Sequence, residues 1–260
     1  MNPYYDLDHP FVVTQAYLDI REEVARARDN RDTVSIIGAS GTGKSTALRK
    51  LAADNGFFYT EVNDGITKPA ACCQRILLDA GIDPPKYVRE QEIEIFRLLQ
   101  SRGWDEDRAP AKVLIIDEVQ ELLPQTIRLL MAAREKAKAG LVLAGNEKSL
   151  VRSRGVAEAH YKAVNNRILS RLTLKHCTAK DCRDIAETFG VEEMDAYRAC
   201  ENFGTQRDFH KLRRLLTTAR ELTDSKTLRL QHIENAAIVM PGDNRKALSP
   251  VVVPFPQERS

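Results

Sequence analysis

"SIIGASGTGKSTALRKL", Ser35–Leu51, carries the most specific pattern in the sequence. Gly38, Gly43, Lys44 and Ser45 satisfy the pattern G-x-x-x-x-G-K-[ST], and the required context is present: the β-branched run "TVSII" leads in and the helix-forming "STALRKLAAD" leads out. Glycines in such a loop let backbone N–H groups from Gly38 through Ala39, Ser40, Gly41, Thr42 and Gly43 turn toward phosphate oxygens. Lys44 reaches the β- and γ-phosphates, and Ser45, followed by Thr46, offers a hydroxyl to Mg²⁺ at a helix N-terminus that favours anions. The expected ligands are ATP and Mg²⁺. A ligand-free glycine turn would not need loop, lysine, serine and helix in this order.

Working outward, the format of "TVSII" recurs at "FFYTEV", "KVLIIDE", "GLVLAGN" and "RLTLKH", each a short apolar run with room for helices between. Strand and helix alternating in this way imply a parallel sheet covered on both faces, the doubly wound α/β class. Ahead of the first strand, Val13, Tyr17, Ile20 and Val24 recur at helical spacing and predict an amphipathic helix. After "RLTLKHCT" the pattern changes to helices alone: "AKDCRDIAETFG", "EEMDAYRACENFG", "TQRDFHKLRRLLTTARELTD" and "TLRLQHIENAAIVM", punctuated by Gly190, Gly204 and Ser225. The expected organisation is an α/β nucleotide-binding core over 1–177, a small helical lid over 178–240, and a proline-rich mobile tail over 241–260.

Composition sets bounds without naming a partner. At 260 residues the chain buries enough surface to fold without metals or disulfides. Its net charge of +2 means that any nucleic-acid surface must come from local clustering. No run of eighteen apolar residues and no secretory start are present, so the expectation is a cytoplasmic protein with no membrane contact. The five cysteines include an adjacent pair and no CxxC; solitary thiols fit better than a disulfide framework or a zinc site.

"KVLIIDEVQEL" supplies the second half of the site, because its apolar run delivers Asp117 and Glu118 to the C-terminal end of a strand, where ligands collect in this class. Asp117 is suited to the Mg²⁺ shell, partly through water. Glu118 is suited to accept a proton from an attacking water. Asn146 ends "GLVLAGN" and offers an amide to the same water, while Arg167 and Arg171 stand just ahead of the fifth strand and Arg207 near the start of a lid helix.

Taken in order, the phosphate loop, "LIIDE", the Asn-ended strand, the arginine before the last strand and the G-x-x-R of the lid resemble the AAA+ ATPases. The resemblance implies a five-stranded parallel AAA+ core with a helical lid, and gives the roles of Walker A, Walker B, sensor one, arginine finger and sensor two. Arg167 is the better finger, with Arg171 as the other choice, and Arg207 takes the sensor-two place at the nucleotide. Within AAA+ proteins the chain looks most like the target-selecting ATPases of DNA transposition, the Mu B group. "HPFVVTQAYLDI", "LIIDEVQELLPQTIRLL", "GLVLAGN" and "RILSRLTLKHCTAKDCRDIAETFGV" carry that likeness. A helix-turn-helix domain precedes the ATPase in the Mu protein; here about a dozen residues precede the first helix, so DNA contact is expected from the core itself.

That family implies an ATP-dependent homo-oligomeric filament on double-stranded DNA that recruits and stimulates a transposase and is dismantled by hydrolysis. Candidate phosphate contacts are Lys86 and Arg89 in "PPKYVRE", and Lys148, Arg152 and Arg154 in "EKSLVRSRG". The basic "KLRRLLTTAR" has an apolar face through Leu212, Leu215 and Leu216 and reads as a packed lid helix. The alternative is an AAA+ helicase loader or replication-initiation ATPase, which shares the core and grips a helicase instead.

Overall fold

The computed structural model describes residues 10–100, 110–146, 162–175, 177–242 and 244–249. Lys148, Arg152, Arg154 and His176 lie outside them. The chain packs as two units, one formed by Ala16–Lys175 and the other by the segments Met1–Gln15 and His176–Ser260.

The first unit is an α/β sandwich around five parallel strands: β1 Thr33–Ile37, β2 Phe58–Glu61, β3 Val113–Asp117, β4 Gly140–Gly145 and β5 Ser170–Thr173, in the order β2-β3-β4-β1-β5. The order follows from the residues. β1, β3 and β4 are mostly apolar, buried at every position, and take the centre; β2, with one buried residue, and β5, with none, take the edges. Helices α1 Gln15–Asp29, α2 Lys44–Asn55, α3 Pro69–Asp79, α4 Val88–Leu99 and α5 Pro124–Ala137 lie along this segment. Prolines open α3 and α5 where a missing N–H costs nothing.

Leu114 and Ile116 of β3 and Leu141 and Leu143 of β4 share one core with Cys72, Cys73, Ile76 and Leu77 of α3, Ile95 and Leu99 of α4, and Ile127, Leu130 and Met131 of α5. The period-two alternation sends Val113, Ile115, Val142 and Ala144 to the opposite face, where they are equally buried. On α1, Tyr17, Ile20 and Val24 are buried as their spacing predicts, but Val13 precedes the helix and is 54% exposed. Gly140 opens β4 where it touches the last turn of α1: a Cβ there would stand 2.8 Å from the Ala27 carbonyl oxygen.

The second unit holds α6 Ala179–Thr188, α7 Met194–Gln206, α8 Phe209–Glu221, α9 Leu230–Val239 and a 3₁₀ turn at Arg245–Leu248. Thr178 and Asp208 cap α6 and α8 by accepting the N–H groups of Asp181 and Lys211. Asp181 also accepts the Gln15 backbone N–H at 2.8 Å, which fixes the N-terminal segment to this unit. Two expectations are corrected here. Gly204 does not end a helix: it lies within α7, where a Cβ would fall 2.3 Å from Cys182 Sγ, so a close helix–helix approach requires it. The stretch after Met240 is not wholly a loose tail, because Ala247 is buried in this core and the Leu248 carbonyl accepts from Asn202 Nδ2 at 3.0 Å. Prolines rule out a long helix there but leave a short 3₁₀ turn open.

Candidate nucleotide site

The C-terminal ends of the central strands build the site. Beyond β1 the chain turns through Gly38–Gly43, with Gly41 (φ 80°) and Gly43 (φ 86°) in the left-handed region that side chains resist. Gly43 is the N-cap of α2 and supplies no side chain to its first turn, so the helix N-terminus keeps its N–H groups for an anion. Gly38 is confined as well: its N–H donates to the Gly145 carbonyl at the end of β4 at 3.2 Å, and a Cβ would stand 3.0 Å from that of Leu174.

Lys44 is 7% exposed, and its Nζ donates to the carbonyls of Gly38 and Ala39, both at 2.7 Å. Burial lowers its pKa, and the nearby charges of Asp117 and Glu118 act in the opposite sense. Thr42, also buried, donates to the Ala39 carbonyl at 2.9 Å and braces the loop. Ser45 is half-buried in the first turn of α2, while Ser40 and Thr46 are exposed.

Asp117, fully buried, receives the Tyr59 hydroxyl on Oδ2 and the Glu118 backbone N–H on Oδ1, both at 2.9 Å. Each carboxylate oxygen keeps a second acceptor site, and a buried carboxylate with two neutral donors is suited to a cation. With the Ser45 hydroxyl this oxygen donor set fits a hydrated Mg²⁺. Burial, foremost, and the charge of Asp117 raise the Tyr59 pKa, which keeps its hydroxyl a donor. Arg49 lies 5.4 Å from the Tyr59 ring centre and pairs with Glu61.

Glu118 adopts φ 60° and ψ 37°, a conformation that costs a non-glycine residue about 1–3 kcal/mol and is found at functional sites. It breaks β3 abruptly into the 3₁₀ turn Val119–Glu121. Its carboxylate accepts from Gln120 Nε2, and Gln120 Oε1 accepts the Asn146 N–H at 3.2 Å. Since β4 lies between β1 and β3, Asn146 follows the strand between those carrying the phosphate loop and the acidic pair.

The arginines are placed differently from one another. Arg167 is exposed in the turn after the helical residues 162–165. Arg171 is not ahead of the fifth strand but within β5, paired in register with Ser35, and its Nη2 donates to Asn165 Oδ1 at 2.8 Å. Arg207 stands exposed in the second unit, between the end of α7 and the Asp208 cap. Lys86 and Arg89 are exposed around the start of α4, with Lys86 Nζ 5.8 Å from the Tyr87 ring centre.

Tyr59 and Gln120 were not among the candidate residues read from the sequence. "DEVQ" displayed Gln120 two positions after Glu118, whereas Tyr59 needs the β2–β3 register, in which Glu61 faces Asp117.

Comparison with known proteins bears on the fold that carries these residues. Residues 27–152 match the family model of the AAA domain. The chain is similar to the Mu-like prophage FluMu DNA transposition protein B of Haemophilus influenzae, 23% identical over 186 residues, or 70% of this chain and 62% of that protein. It thus spans less than two thirds of that relative. Among solved structures, the Aeropyrum pernix ORC2 protein in its ADPNP–ADP complexes matches 92% of this chain and 70% of its own at 16% identity, TM-score 0.62. The Thermotoga maritima RuvB Holliday junction branch migration motor matches 88% of this chain and 70% of its own at 15% identity, TM-score 0.55. The fold is that of the AAA P-loop nucleoside triphosphatases, and the chain resembles Mu transposition protein B. No helix among the described residues is long and apolar enough to cross a membrane.

Proposed function

We propose that this chain is an ATP-dependent, DNA-binding regulator of transposition: it assembles as a filament on double-stranded target DNA, recruits and stimulates a transposase, and is released by ATP hydrolysis. The observation that carries the reading is the meeting, at neighbouring strand ends, of a buried Lys44 in a glycine loop, the Asp117–Glu118 pair and Asn146. Similarity to a transposition protein B supplies the biological direction.

Gly38 to Gly43, Lys44 and Thr46 hold the triphosphate, and Ser45 and Asp117 hold Mg²⁺, which when bound neutralises charge on the phosphate oxygens. Glu118 accepts the proton of the attacking water and Asn146 orients that water. Arg167, with Arg171 as the other choice, completes the site of a neighbouring protomer, and Arg207 senses the nucleotide from the lid. A contact in which one protomer's arginine meets another's nucleotide is head-to-tail and either closes into a ring or continues as a helix. Duplex DNA presents equivalent phosphates along a helical path and favours the second outcome. Lys86, Arg89, Lys148, Arg152 and Arg154 supply sequence-blind phosphate contacts. The work is done in the cytoplasm.

Fluorescence anisotropy with a labelled duplex tests this. Binding should require a non-hydrolysable ATP analogue and weaken steeply with salt; replacing Lys86 and Arg89 with alanine should flatten the log–log slope by about 1–2 units if each meets a phosphate. Equal binding with ADP and with the analogue would overturn the reading. An unchanged slope would move the contacts to Lys148, Arg152 and Arg154.

A further inference from the structure

The side chain of Gln120 has both of its ends occupied within the site. Nε2 donates to Glu118 Oε2, and Oε1 accepts the Asn146 backbone N–H at 3.2 Å. One carboxamide therefore spans the end of β3 and the end of β4. The turn that carries it is held: the Glu121 N–H donates to the Glu118 carbonyl at 3.0 Å, and Val119, 1% exposed, anchors the turn in the core. A surface glutamine that merely satisfied itself would have no reason to join two strands, and Gln120 is half-buried. Glu118, by contrast, sits where the backbone turns sharply out of the strand, and its flexible side chain has several rotamers to choose from. Binding one carboxylate oxygen restricts that choice and leaves the other oxygen to receive a proton.

We propose that Gln120 is a positioning residue: it fixes the Glu118 carboxylate and ties it to the end of β4, so that proton acceptor and Asn146 keep one geometry. The inference rests on the assignment of Glu118 as proton acceptor in the proposed function. In Q120A the carboxylate should lose its orientation. Q120E keeps the size and an acceptor for Asn146 but removes the donor facing Glu118, so the two variants should fail alike.

The test combines ATP turnover, affinity for a fluorescent ATP analogue, and NMR of the nucleotide-free protein. Q120A and Q120E should lower kcat about 10- to 100-fold, as misplacement of a proton acceptor does, with KM and analogue affinity within about twofold of wild type. In the E118Q background, Q120A should cost less than about twofold more, because the group it positions is already disabled. The side-chain amide resonance of Gln120 should shift on E118A substitution without nucleotide. Wild-type turnover by Q120A, an equal fold-loss in both backgrounds, or an amide resonance indifferent to E118A would each overturn the proposal. E118Q turning over at the wild-type rate would instead remove the assignment beneath it, so the two failures are told apart.

Discussion

Each unit of this protein buries an aspartate with two close donors, and the two stand in opposite surroundings. Asp181 in the helical unit accepts from the Gln15 N–H and the Thr178 hydroxyl in the first turn of α6, where the helix N-terminus favours a negative charge. Every donor it has is structural. Asp117 in the α/β unit accepts from Tyr59 and from the Glu118 N–H at a strand end, with a buried lysine as its charged neighbour. The surroundings extend the contrast. The helical core is apolar, and its other buried polar residue among those described, Asn244, is spent on the carbonyls of Met240, Pro241 and Gly242. In the α/β unit Thr42, Lys44 and Asp117 are buried together around the phosphate loop and the strand ends beside it. Each carboxylate has one donor on each oxygen, so donor count does not separate them; what differs is the setting, a closed apolar core around Asp181 and, for Asp117, strand ends with a buried lysine that the proposed function leaves open to a cation.

The largest effect should come from the α/β unit. Glu118→Gln should lower ATP turnover by about 10²- to 10⁴-fold while keeping ATP affinity near wild type, because the amide retains shape and loses the proton acceptor. Turnover and analogue binding measured on one preparation check this. Lys44→Ala should instead abolish measurable ATP binding at the concentrations that saturate wild type, with calorimetry as the readout.

Gly204→Ala should act on the helical unit. The new methyl cannot share space with Cys182 Sγ, and overpacking of this kind costs about 1–3 kcal/mol. Chemical denaturation should show the loss, with analogue affinity unchanged at temperatures where the protein is folded. The smallest effect should be that of Tyr59→Phe, which removes one of two donors to Asp117 and should cost about 1 kcal/mol, seen as a few-fold higher Mg²⁺ concentration needed for half-maximal turnover. Were Tyr59→Phe to abolish turnover, the hydroxyl would have a role beyond holding the carboxylate.

The sheet was legible because central parallel strands, covered on both faces, are mostly apolar, and each of the five runs contains one of the five strands. What the sequence hid depends on neighbours distant in the chain. Gly204 reads the same whether it stops a helix or admits a cysteine from another one. Tyr59 reaches Asp117 only through the pairing of β2 with β3, a register that no local pattern encodes. Val13 has the right spacing for the α1 stripe but lies before the helix begins.

Whether nucleotide at these strand ends governs assembly on DNA can be read by electron microscopy of Glu118→Gln protein with duplex DNA in ATP and in ADP. Helical filaments should form with ATP and outlast those of wild type, with few or none in ADP. Closed rings alone, or equal filaments with both nucleotides, would contradict this; rings would favour a helicase loader.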